Sequence, residues 1–75
     1  REEREQAALE RKIQSDRLRK EAEITEAEAL IARIEAELCR EEVYSDPQAA
    51  LAWSGKLQKA QEEMERLYEQ WMALP

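Results

Sequence analysis

An antiparallel two-helix coiled-coil hairpin, all-α in class, is the fold this sequence predicts, and three observations carry the prediction. Charged residues make up 40% of the 75, with Ala, Glu, Leu, Lys and Arg in excess, which is the composition of long helices and coiled coils. Two runs of apolar residues recur at alternating spacings of three and four, which keeps one stripe of a helix apolar. Between the runs stands Tyr44-Ser45-Asp46-Pro47-Gln48, a stretch suited to ending one helix and starting another. Strands are excluded, because no window alternates apolar with polar residues and β-branched residues are few.

Residues 1–17 form a basic lead-in, expected to be either frayed or a helical extension, and residues 18–75 form the hairpin itself. Residues 1–20 hold seven Arg or Lys against five Asp or Glu, a net of +2, whereas residues 21–75 hold five against thirteen, a net of −8. The first helix is expected over about residues 14–42, with Ile24, Ala27, Ile31, Ile34 and Leu38 as its apolar stripe. Arg17 and Lys20 fall on the extrapolated stripe, so the open end of the hairpin should be polar. Cys39 follows Leu38 off the stripe and should be exposed.

The turn is expected at residues 43–46. A residue before proline is pushed out of the α region, so the first helix must end by about residue 42 to 45. Val43 and Tyr44 are apolar in a charged turn and should fold over the end of the seam. The second helix is expected over residues 47–74. Proline at the first helical position sacrifices nothing, since its missing N–H would be unpaired there. Either Asp46 caps that helix, or Ser45 does so with Gln48 completing a capping box. The stripe then runs Ala50, Trp53, Leu57, Ala60, Met64, Leu67, Trp71 and Leu74 without a slip. Gly55 inside this helix costs about 1 kcal/mol relative to Ala, and a bend or loosening near Ser54-Gly55 is expected.

A turn centred near residue 44 sets the register. Leu38 faces Ala50, Ile34 lies near Trp53, Ile31 faces Leu57 and Ile24 faces Met64. Farther out, Trp71 should meet Arg17 and Leu18, and Leu74 should meet Ile13 or Gln14. Both tryptophans are therefore expected in the core rather than as stacking platforms for bases, and Tyr68 as a half-buried flank. Because apolar levels pair within one chain, a monomer is expected.

The residues exclude several functions. There is no His, the single Cys has no partner for a disulfide, and no Gly-rich phosphate loop or Ser and Thr with a base at motif spacing is present. No catalytic residue, cofactor-binding residue or metal ligand is expected among these residues. No apolar run approaches the length that crosses a membrane, no signal peptide is seen, and a cytoplasmic location is expected. The sequence starts at Arg1 without Met, as a segment of a larger protein would. A formal charge of −6 disfavours a freestanding nucleic-acid binder.

The stretch IEAELCREEVYSDPQAA together with LQKAQEEMERLYEQWMAL resembles the C-terminal domain of ABC-F ATPases, proteins with two ATP-binding cassettes and no membrane domain. The match rests on Leu38, on the turn Tyr44-Ser45-Asp46-Pro47, and on the ending Leu67, Tyr68, Glu69 and Trp71. LRKEAE, from Leu18, resembles the lead-in after the second cassette, so the resemblance covers about residues 18–74. The first helix is about one turn shorter than in many relatives, and the domain is more acidic than those whose tail binds DNA or RNA. The resemblance implies a coiled-coil arm appended to an ATPase, with ATP and Mg²⁺ belonging to the parent's cassettes and those cassettes as partners. It also implies an accessory role in nucleic-acid or ribosome binding, as in translation factors and ribosome-protecting resistance proteins. The cations for such contacts are Arg1, Arg4, Arg11, Lys12, Arg17, Arg19 and Lys20, since phosphate binding needs clustered positive charge. Any such binding by these residues alone should be weak. The rival expectation is a structural protein–protein hairpin with no nucleic-acid role.

Overall fold

The computed structural model describes all 75 residues as three helices and no strands: α1 (Glu2–Leu38), α2 (Glu41–Tyr44) and α3 (Pro47–Ala73). The chain is a rod of 65 × 16 × 11 Å with a radius of gyration of 18.5 Å. A compact domain of this length would measure about 11 Å. α1 and α3 run antiparallel side by side, and α2 sits at the tip between them.

The seam follows the apolar stripes. Ile24 and Ile34 of α1, Val43 of α2, and Ala60 and Leu67 of α3 are buried. Ala27, Ile31, Leu38, Ala50, Trp53, Leu57, Met64 and Leu74 are half-buried beside them. A core one side chain thick is all that two helices can make, so only five of the 75 residues are fully enclosed.

α1 begins at Glu2, so the lead-in is helical rather than frayed. Its first turn carries Glu2, Glu3 and Glu5, and negative charge is favourable at a helix N-terminus. α1 also ends earlier than expected, at Leu38 rather than near residue 42. Its last turn tightens, with Cys39 N–H donating to the Ala36 carbonyl at 3.2 Å and Arg40 N–H to the Glu37 carbonyl at 3.1 Å. Arg40 then takes an extended backbone and α2 starts. No Gly or Pro marks this break, but the stripe explains it. Seven residues beyond Ile34 lies Glu41, which an unbroken helix would place on the apolar seam. Breaking at Arg40 releases Glu41 and turns Val43 inward instead. The Arg40 guanidinium spans the break, holding Glu37 at 2.8 Å and Glu42 at 3.0 Å. Cys39 is exposed.

Val43 does close the end of the seam, as expected. Tyr44 does not, being 61% exposed. Between the two caps considered, the structure uses Asp46. Its backbone is extended, as a residue before proline must be, and its side chain accepts from Gln48 N–H at 3.0 Å. The Ser45 hydroxyl instead donates backward to the Glu41 carbonyl. α3 then runs through Ser54-Gly55 without interruption, so the expected loosening there is absent.

Candidate functional site

The open end of the hairpin is where the predicted cations lie, and its geometry decides which of them are free. α1 has 37 residues and α3 has 27, which makes them about 55 and 40 Å long at 1.5 Å per residue. α1 therefore projects past the end of α3. The cross-helix hydrogen bond lying farthest toward this end is made by Lys20, whose ammonium donates to Gln70 Oε1 at 2.7 Å. It also pairs with Glu23 at 3.1 Å and its side chain is 19% exposed. Lys20 is thus a polar rung of the seam, as its stripe position implied, and it is removed from the set of phosphate-binding candidates by its partners.

Trp71 reaches the Glu21 level rather than that of Arg17 and Leu18. Its indole Nε1–H donates to Glu21 Oε1 at 3.4 Å, and the ring remains 36% exposed, while Leu18 is 58% exposed. Trp71 is therefore a rim residue and not core, a correction that follows from α3 meeting α1 nearer the tip than the expected register. Tyr68 flanks the seam but is exposed; its hydroxyl donates to Glu28 Oε1 at 3.1 Å. That hydrogen bond to a carboxylate, with the carboxylate's charge and some desolvation, raises the Tyr68 pKa above the ordinary phenol value. Glu37, first by its hydrogen bond and then by its charge, likewise raises that of Arg40, with Glu42 adding to the effect.

Two further root cations are spoken for in part. Asp16 accepts from Lys12 at 3.1 Å and from Arg19 at 2.8 Å, the one-turn pairing expected on a helix surface. These pairs are exposed and weak, so they reduce the local field without closing the site. Arg1, Arg4, Arg11 and Arg17 make no ion pair. At about 100° of turn per residue, Arg4, Arg11, Lys12 and Arg19 fall within an arc of about 100° facing away from the seam. Arg17 instead lies on the extrapolated seam stripe that holds Ile24 and Ile34. The structure thus brings four of the seven predicted residues onto one outward face and leaves Lys20 out.

Sequence reasoning missed a second group of uncommitted cations in the acidic body. Arg33, Lys56 and Lys59 make no ion pair, and Lys56 Nζ lies 4.1 Å from the centre of the Trp53 ring. The signal was available in the spacing of Trp53, Lys56, Lys59 and Ala60, which share one side of α3.

No group of His, Cys, Asp or Glu is arranged to hold a metal ion, and no helix is long and apolar enough to cross a membrane. The ABC transporter C-terminal domain family matches the chain over residues 1–75. The chain belongs to this family. The turn Tyr44-Ser45-Asp46-Pro47 and the Leu67-Tyr68-Glu69-x-Trp71 ending, which suggested such a domain, lie within the matched span. Membership makes it an accessory C-terminal domain of an ABC protein and not an ATP-hydrolysing cassette, so these 75 residues are non-enzymatic. No curated protein and no solved structure matches the chain.

Proposed function

We propose that this domain is the C-terminal arm of a cytoplasmic ABC-F ATPase and makes accessory phosphate contacts to DNA, RNA or the ribosome through the projecting end of α1. The observation that carries the reading is the outward basic face of that projection, where Arg4 and Arg11 stand without ion pairs and Lys12 and Arg19 share one carboxylate. The arm bears no catalytic group of its own. ATP and Mg²⁺ belong to the cassettes of the parent, which are its partners within the same protein. The tip has the opposite character, because Glu41, Glu42 and Asp46 crowd it with acid, and like charge repels phosphate.

A net of +2 over residues 1–20 makes a small field, screened beyond a Debye length of about 8 Å at physiological salt. Affinity of the 75-residue chain alone should therefore be weak and dominated by counterion release. With about four phosphates neutralised, the log–log slope of affinity against salt should be about −3 to −4, and binding should fall about a hundredfold between 50 and 200 mM. Titrating a labelled short duplex of DNA and one of RNA across that salt range tests this. The double reversal Arg4→Glu, Arg11→Glu should abolish binding while leaving helicity intact, since neither has an ion pair to lose. Salt-insensitive binding, or binding that survives the reversal, would overturn the assignment to the root.

A further inference from the structure

Beside the seam, midway along the rod, two adjoining hollows of about 500 and 370 Å³ share Leu30, Ile34 and Trp53. Ala60 completes the apolar floor, and Leu30 is 42% exposed there although it is among the larger apolar residues of α1. The rim is Arg33 on one side and Lys56 with Lys59 on the other. Elsewhere in the acidic body the cations are committed, Arg40 to Glu37 and Glu42, and Arg66 to Glu63. The groove reverses that pattern. Its three cations have no ion pair, whereas its two acids, Glu37 and Glu63, already hold Arg40 at 2.8 Å and Arg66 at 3.0 Å. Within a chain of net charge −6, this is a local excess of available positive charge around an apolar floor.

We propose that this groove is a docking site for an acidic amphipathic helix of a partner protein. Aliphatic anchors one turn apart would lie on the exposed Leu30 and against the half-buried Trp53, above the enclosed Ile34 and Ala60, and flanking carboxylates would pair with Arg33, Lys56 and Lys59, which is the way a helix is read by a groove. From Trp53 to Glu63 the groove runs about 15 Å, enough for three helical turns. A protein segment suits this surface better than a nucleic acid. The Lys56 ammonium already covers the Trp53 ring at 4.1 Å, so a base could stack only by displacing it, and the remaining floor is aliphatic rather than flat. The site is separate from the basic root and does not depend on the phosphate-binding role proposed for it.

The test is a ¹⁵N nuclear magnetic resonance titration of the 75-residue chain with a synthetic helical peptide of about four turns. The peptide carries Leu at every third and fourth position and Glu between them. Shifts are expected at Leu30, Arg33, Ile34 and the Trp53 indole. The double variant Lys56→Glu, Lys59→Glu should weaken binding at least about tenfold, and Arg33→Glu on the other helix should act in the same direction. Melting temperatures should hold for Lys59→Glu and Arg33→Glu, which have no ion pair to lose, and should fall slightly for Lys56→Glu, which gives up its cation–π contact with Trp53. Arg11→Glu at the root should leave peptide binding unchanged, and a peptide with Lys in place of Glu should not bind. Absence of shifts, or shifts that survive the charge reversals, would overturn the proposal. So would perturbation of Trp53 by oligothymidylate but not by the peptide, which marks a nucleic-acid site, or concentration-dependent shifts without peptide, which mark a second copy of this chain.

Discussion

Leu67 and Trp71 lie four residues apart on α3 and were equal members of one apolar stripe, yet they do different jobs. Leu67 is buried, whereas the Trp71 ring is 36% exposed and held by a long hydrogen bond to Glu21. The cost of removing a side chain tracks how much of it is enclosed. Leu67→Ala should therefore destabilise the hairpin by about 3 kcal/mol, and Trp71→Ala, although the larger deletion, by only about 1 to 2 kcal/mol. Urea unfolding followed by far-ultraviolet circular dichroism would rank them. A larger loss for Trp71→Ala would return that ring to the core. Lys20 shows the same dependence on position. The stripe placed it on the seam, but only its contact with Gln70 across the helices shows that it is taken from the set of cations that can meet phosphate.

At the scale of the elements, α3 is specified by its first residues and tolerates its glycine. Asp46 accepts from Gln48 N–H at 3.0 Å, so Asp46→Ala should cost about 1 kcal/mol, while Ser45→Ala, which removes no cap of α3, should cost less. A Cβ at Gly55 would meet nothing within 4 Å. Gly55→Ala should then stabilise the chain by about 0.5 to 1 kcal/mol, since Ala loses less backbone entropy in a helix. Thermal melts of the three variants would check both statements together. The elements also mark what was legible in the sequence. Both apolar stripes, the helical hairpin and the proline start of α3 depend on local spacing and local backbone sterics, and they could be read directly. The break at Arg40 could not, because no Gly or Pro signals it. It arises from a competition between Glu41 and Val43 for one seam position, which exists only once α1 and α3 are packed. At the root, the sharing of Asp16 by Lys12 and Arg19 was written in one-turn spacings, but a count of net charge passes over it.

As a whole the molecule is a thin rod, 65 Å long, whose charge is sorted along its length. The projecting end of α1 is basic on its outward face, the middle carries a groove with three uncommitted cations, and the tip is acidic. The fold supports this arrangement because a seam one side chain thick leaves most residues facing solvent, so surface pattern rather than burial distinguishes one end from the other. The most direct test of this division is a chemical-shift map of the ¹⁵N-labelled 75-residue chain titrated with a short nucleic-acid duplex at low salt. The predicted result is perturbation confined to residues 1–19, strongest at Arg4 and Arg11 and lost as salt rises. Perturbation centred on the tip at Glu41–Asp46 or on Trp53 and Lys59, or none at any salt, would contradict it.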